Sequence, residues 1–238
     1  MSFSSKLKSL ASLLKGDSEK RWRVAELLSK TIHPTAILGE YAKIWREDSQ
    51  FIKEVAGLPT NNRQWERLFL LEQFAKYATF IEGDFVECGV HSGSSAYFLC
   101  KQAKNKYVHL FDSWEGLSTP NINDTNYWSS GDLNSDINFA KQTLSEWTNC
   151  HFHKGWIPEV FDGQSIKSVA LLHIDVDIHQ PTLDTLERFW SAITPGGIVI
   201  CDDYGFKNCA GAKKAIDSFF NGLRPVISLP TGQALIIK

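Results

Sequence analysis

Residues 169–204 read VALLHIDVDIHQPTLDTLERFWSAITPGGIVICDDY. A continuous apolar run from Val169 passes through His173 and Ile174 and stops on Asp175 and Asp177. Leu183, Leu186, Phe189 and Trp190 then recur at helical spacing. Pro195-Gly-Gly breaks the chain before a second apolar run, Ile198 to Cys201, which stops on Asp202 and Asp203. Strand, helix and strand joined this tightly form a βαβ unit with neighbouring parallel strands. Parallel strands end on one edge of their sheet, so the acids should gather where open α/β sheets bind ligands.

Carboxylates crowded together repel unless protons or a cation offset their charge. Oxygen donors suit hard ions such as Mg²⁺, Ca²⁺ or Mn²⁺. Each acid alone reads as readily as a helix cap or a solvated group. For Asp175 with Asp202 and Asp203 a metal is the favoured reading.

The 238 residues are 43% hydrophobic, enough for one α/β core plus an extension. A formal charge of −2 and the lack of a long basic run argue against nucleic acid as the main partner. Cys88, Cys100, Cys150, Cys201 and Cys209 show no CxxC spacing and read as buried thiols in a reducing compartment. No stretch has the length of a membrane span or a signal-peptide core, so a cytoplasmic protein is expected. Leu7, Leu10, Leu13 and Leu14 share a helical face that suits packing on the domain or on a second subunit better than a membrane surface. A homo-oligomer is compatible with that segment.

Residues 1–80 carry no strand signal and read as a helical cap, with helices over 4–14, 19–30, 41–55 and 62–79. In the last, Trp65, Leu68, Leu71, Phe74 and Ala78 form the apolar face, with Glu66, Arg67, Glu72 and Lys76 between them. Residues 81–238 form the α/β domain. Its first strand, Phe85-Val-Glu-Cys, runs into Gly89-Val90-His91-Ser92-Gly93-Ser94-Ser95 and a helix. Glycines at a helix N-terminus let a ligand approach backbone N–H groups. The GxxxG spacing lacks the third glycine of a dinucleotide fingerprint, which leaves a small nucleotide-like ligand, with Glu87 nearby. The second strand ends on Asp112-Ser113, where an acid can accept from both hydroxyls of a ribose or serve only the turn.

Residues 117–132 read as a lid or a plain surface loop containing Tyr127 and Trp128. Trp156, after a short third strand, is a candidate for stacking on a flat base, or ordinary core. Strands near 226 and 234 are joined too tightly to be parallel. The expectation is a seven-stranded, mostly parallel sheet with one antiparallel strand near the C-terminus.

Four segments, GDFVECGVHSGSSA, LFDSWEGL, FHKGWIPEVF and the pair LLHIDVDIHQPT with TPGGIVICDDYG, resemble the macrocin O-methyltransferase family from about Glu82 onward. That family belongs to the class I, Rossmann-like, metal-dependent methyltransferases that use S-adenosylmethionine. The resemblance implies that Glu87, Gly89 and Gly93 border the methionine part of S-adenosylmethionine and that Asp112 holds its ribose. It implies Mg²⁺ on Asp175, Asp202 and Asp203, and a hydroxyl-bearing small molecule, such as a natural-product sugar, as acceptor. Val90, His91, Ser94, Ser95, Ser113 and Trp156 complete the expected cofactor site. Catechol-type enzymes carry a lysine base just after the first metal aspartate. Here Ile178 stands in that place, so Asp175, Asp177 and His179 are the candidate proton acceptors. Asp175-Val-Asp177 is also a DxD, the pattern of metal-dependent glycosyltransferases, and a non-catalytic protein of the same fold is the other alternative.

Overall fold

The computed structural model describes residues 24–26, 28–31, 44–59 and 65–238. The chain divides into two compact units, 1–54 and 55–238. In the first, 24–26 and 28–31 are helical, and Asp48 Oδ1 accepts from the Phe51 N–H at the start of α1 (Ser49–Gly57). The helix expected over 41–55 is thus a 3-10 turn at 44–46 followed by a new helix. The expected helix over 4–14, with its four leucines, lies outside the described residues.

The second unit runs α2 (Trp65–Ala78), β1 (Asp84–Cys88), α3 (Ser94–Ala103), β2 (Val108–Asp112), α4 (Ile137–Thr143) and β3 (Cys150–Lys154). It continues with β4 (Val169–Ile174), α5 (His179–Phe189), β5 (Ile193–Cys201), α6 (Ala210–Phe220), β6 (Ile227–Ser228) and β7 (Ala234–Ile237). The strand order is β3-β2-β1-β4-β5-β7-β6, with β7 antiparallel to both its neighbours. The order reverses between β1 and β4, which opens a crevice at their carboxyl ends.

Alternation along the strands sends Val86, Leu172, Val199 and Ile236 into one core with Leu186, Phe189, Ile216 and Phe220 of α5 and α6. Phe85, Leu171, Ile198 and Ile200 face the other side, against Leu71 and Ala75 of α2 and Leu99 of α3. The buried strands read as unbroken apolar runs because helices cover both faces.

One expectation is corrected. Pro195-Gly-Gly does not precede β5 but lies within it, since Val169 pairs with Ile193 and Leu171 with Ile198. The extra residues form a bulge, and Gly197 is needed there: a Cβ would lie 2.8 Å from Ile193 Cγ2 and from the Thr194 carbonyl oxygen. On α2, polar positions are not all solvated. Glu72 is 1% exposed and accepts from Gln102 Nε2 (2.8 Å) while pairing with Lys101 Nζ (2.9 Å), and Arg67 turns inward. Among the described residues, no helix is long and apolar enough to cross a membrane.

Candidate active site

Gly89 ends β1 at φ +89°, and a Cβ on it would lie 1.8 Å from the Asp175 carbonyl oxygen. The Asp175 N–H donates to the Cys88 carbonyl (2.9 Å), so the glycine loop and the first acid share one junction. Beyond it lies a cavity of about 370 Å³, within the range of small-molecule sites. Gly89, Val90, His91, Ser94, Ser95, Asp112, Ser113 and Trp156 line it, as do Asp175, Asp177, Asp202 and Asp203. Gly93, Glu87 and His179 do not. Gly93 instead ends the loop at φ +85° as the N-cap of α3.

Asp112 organises the loop. Its Oδ2 accepts from the N–H groups of Val90 (2.7 Å) and His91 (2.8 Å), and its Oδ1 from that of Trp114 (2.6 Å). The turn role and the cavity-facing role therefore coincide: Oδ2 is filled by two amides, while Oδ1, with a single donor, retains a second lone pair for a ligand hydroxyl.

Glu87 has a different partner from the one expected. The β1–β4 register sets it beside His173, and its Oε1 lies 2.8 Å from His173 Nδ1, both side chains fully buried. His173 Nε2 faces Asp202 Oδ1 at 3.6 Å. Burial alone would lower the imidazole's pKa, yet the close Asp202 carboxylate, the hydrogen bond to Glu87 and the charges of both acids raise it to about 10. Asp202 also accepts from Gln233 Nε2 (2.7 Å) and pairs through Oδ2 with Arg67, whose guanidinium lies over the Phe206 ring. Burial pushes Asp202 up, but His173 and Arg67 outweigh it and hold the carboxyl below its usual range.

The neighbouring acids lack that compensation. Among the described residues, Asp175, Asp177 and Asp203 form no ion pair. Burial and the charges of Asp202 and Asp203 push Asp175 well up. Burial, with Asp177 and Asp202, does the same to Asp203, and burial with Asp175 lifts Asp177 to about 7. Asp203 Oδ2 accepts from the Asp177 N–H (2.8 Å), and Asp177 Oδ1 lies 3.4 Å from Cys209 Sγ. Among the described residues, ligand atoms of Asp177, Asp203 and Cys209 come within 4.8 Å of one another, whereas Asp175, Asp202 and Asp203 do not form such a group. Of the three acids expected to hold a metal, Asp202 is paired with Arg67. An oxygen-rich set with this much unbalanced charge still fits a hard divalent ion.

Asp177 itself is strained. Its φ is +61°, and the Ile178 N–H donates to the Val176 carbonyl (2.7 Å), closing a γ-turn around it. Such conformations cost on the order of 1–3 kcal/mol and persist only where the surroundings enforce them.

The 117–132 segment closes at its base, with Leu117 N–H donating to the Asp132 carbonyl (2.8 Å) and Gly131 N–H to that of Leu117 (2.9 Å). It is a compact Ω-loop. Trp128 lines the cavity, and Tyr127, edge-on to it at 4.7 Å between centroids, stays exposed.

Sequence reasoning missed Arg67, His173, Gln233, Cys209 and Asp124. Only His173, a titratable group inside an apolar run, gave a signal, because such a group needs a partner.

A family model described as macrocin-O-methyltransferase (TylF) matches residues 66–222, more than half of the chain. Demethyldecarbamoylnovobiocin O-methyltransferase of Streptomyces niveus is 26% identical over 160 residues, covering 58% of this chain and 58% of that one. The 8-demethyl-8-(2,3-dimethoxy-alpha-L-rhamnosyl)-tetracenomycin-C 4'-O-methyltransferase of Streptomyces olivaceus is 26% identical, covering 56% and 57%. The chain thus spans little more than half the length of these relatives. The solved O-methyltransferase NovP shares the fold, with a TM-score of 0.62, 20% identity, and coverage of 72% of this chain and 79% of that one.

Proposed function

Because the chain belongs to the macrocin O-methyltransferase family, we propose that it transfers a methyl group from S-adenosylmethionine to a hydroxyl on a sugar of a small-molecule natural product. The observation that supports this most directly is the Gly89–Asp175 junction, which puts a nucleoside-sized subsite and an acid cluster into one cavity. The relatives reported above are named O-methyltransferases, and the name of the Streptomyces olivaceus one includes a rhamnosyl group in its acceptor. None is named a glycosyltransferase.

S-adenosylmethionine, when bound, supplies a methyl group on a sulfonium, and a divalent cation such as Mg²⁺ supplies positive charge that acidifies a bound hydroxyl. Asp175 and Asp203 would hold that cation, with Asp202 joining them where it gives up Arg67. The N–H groups at the start of α3, the free lone pair of Asp112 Oδ1 and the face of Trp156 would hold the nucleoside and amino-acid ends of the methyl donor. Asp177, which lines the cavity while His179 does not, would take the hydroxyl proton on a carboxylate oxygen. Trp128 and the Ω-loop screen the reacting atoms from water and help align them.

The test uses calorimetry with S-adenosylhomocysteine, and methyl transfer to a rhamnosylated aromatic acceptor. S-adenosylhomocysteine should bind with and without metal, while Asp175→Asn and Asp202→Asn bind it and lose turnover. Full turnover in excess EDTA would end the metal role. No binding of S-adenosylhomocysteine would end the assignment.

A further inference from the structure

We propose that Asp124 is a positioning residue for Asp177, and that Gly211 exists as glycine to make room for it. This rests on the reading that the acids after β4 carry the chemistry. Helix α5 begins directly after the strained turn, and its N-cap residue, Ile178, has no side chain able to cap. The cap comes from 55 residues earlier in the chain: Asp124 Oδ1 accepts from the His179 N–H at 2.8 Å. A carboxylate there also meets the positive end of the helix dipole.

The aspartate is held for this task. Its Oδ2 accepts from the Asn121 N–H (2.8 Å), and its own N–H donates to the Asn121 carbonyl (3.0 Å). The same segment is seated on the start of α6, where Thr125 Oγ1 donates to the Asn208 carbonyl (2.8 Å) and Lys214 Nζ to that of Asn123 (2.7 Å). The carboxylate enters over Gly211, where a Cβ would lie 1.8 Å from Asp124 Oδ1 and 3.0 Å from the His179 nitrogen. Any larger residue evicts Asp124.

Asp177 is thereby clamped from both sides. Its own N–H goes to Asp203, and the amide two residues on goes to Asp124, with Thr182 Oγ1 donating to the Ile178 carbonyl (2.7 Å) between them. The Ω-loop that carries Asp124 also places Trp128 on the cavity wall. One loop therefore closes the site and holds the proton acceptor in its strained pose. Loss of the clamp lets the turn relax and moves the carboxylate off line, which costs rate without touching the nucleoside subsite.

Asp124→Ala, Gly211→Ala, the double variant and Asp124→Asn in the full chain provide the test. Hydrogen exchange without substrate should show faster exchange at the His179 amide and across 121–133 in the first three variants. Their kcat should fall about tenfold or more, with S-adenosylhomocysteine affinity unchanged and no further loss in the double variant. Asp124→Asn should recover part of the rate, because its carbonyl oxygen can still accept from His179 while its NH₂ meets the Asn121 N–H. Wild-type exchange at His179 in Asp124→Ala, or wild-type kcat in it, overturns the proposal. Faster exchange in a protein that transfers no methyl group supports the clamp and sinks only the assigned reaction.

Discussion

Gly89 and Asp175 meet backbone to backbone: the Gly89 Cα leaves no room for a side chain before the Asp175 carbonyl oxygen, 1.8 Å from where a Cβ would stand. That approach joins the loop at the end of β1 to the acids at the end of β4. Both strands are fully buried there, so neither can withdraw cheaply.

Gly89→Ala should therefore lose about 3 kcal/mol or more of stability, from a forced φ of the wrong sign together with the clash. Thermal unfolding would show it, and S-adenosylhomocysteine binding should vanish in whatever fraction remains folded. A variant with wild-type melting and binding would mean that the junction is not rigid.

On the proposed reading, Arg67 and a divalent cation would compete for Asp202. Arg67→Met should melt at a lower temperature without metal, because a mostly buried carboxylate loses its partner, at a cost of about 2–4 kcal/mol. Added Mg²⁺ should then stabilise the variant more than it stabilises the wild type. Equal metal-induced shifts in the two proteins would argue against competition.

Glu87 and His173 form a fully buried pair on adjacent strands. Glu87→Leu leaves an imidazolium facing an apolar side chain and should destabilise by about 3–5 kcal/mol. Chemical denaturation at neutral pH measures this directly. A loss below about 1 kcal/mol would imply that His173 is neutral in the fold.

A pH dependence follows from the other end of the sheet. His153 on β3 stacks on Phe111 and lies 3.1 Å from His109 Nδ1, with His151 alongside and Asp84 on the far side of His109. Burial, then the charges of His109 and His151, lower its pKa to about 4. The unfolded chain takes up that proton first, near pH 6.5. The contribution to stability is thus complete above pH 6.5 and is lost as pH falls toward 4. His153→Phe should flatten the melting curve in that window, and an unchanged pH profile would refute the assignment.

Much of this molecule was legible from local chemistry. Apolar runs that stop on acids located the carboxyl ends of β4 and β5, and the Pro230-Thr-Gly link required one reversed strand. What stayed hidden depends on partners distant in sequence. Glu87 looked like a ligand-facing acid because nothing local shows that the register places it beside His173. Arg67 reads only as lying between apolar positions, because helical spacing marks a face but not what that face meets. Asp124 sits in a polar loop, and only the missing cap of α5 and the vacancy at Gly211 give it meaning.

Strand β7 lies between β5 and β6 in the sheet but follows both of them in the chain. The Gln233 amide that steadies Asp202 immediately precedes it. On the ribosome, a nascent chain that has emerged only as far as β6 exposes the edge of β5 with its acids still incompletely held. The acid cluster is therefore fully held only once residue 233 is in place, and a chain cut short upstream of it would present an aggregation-prone sheet edge.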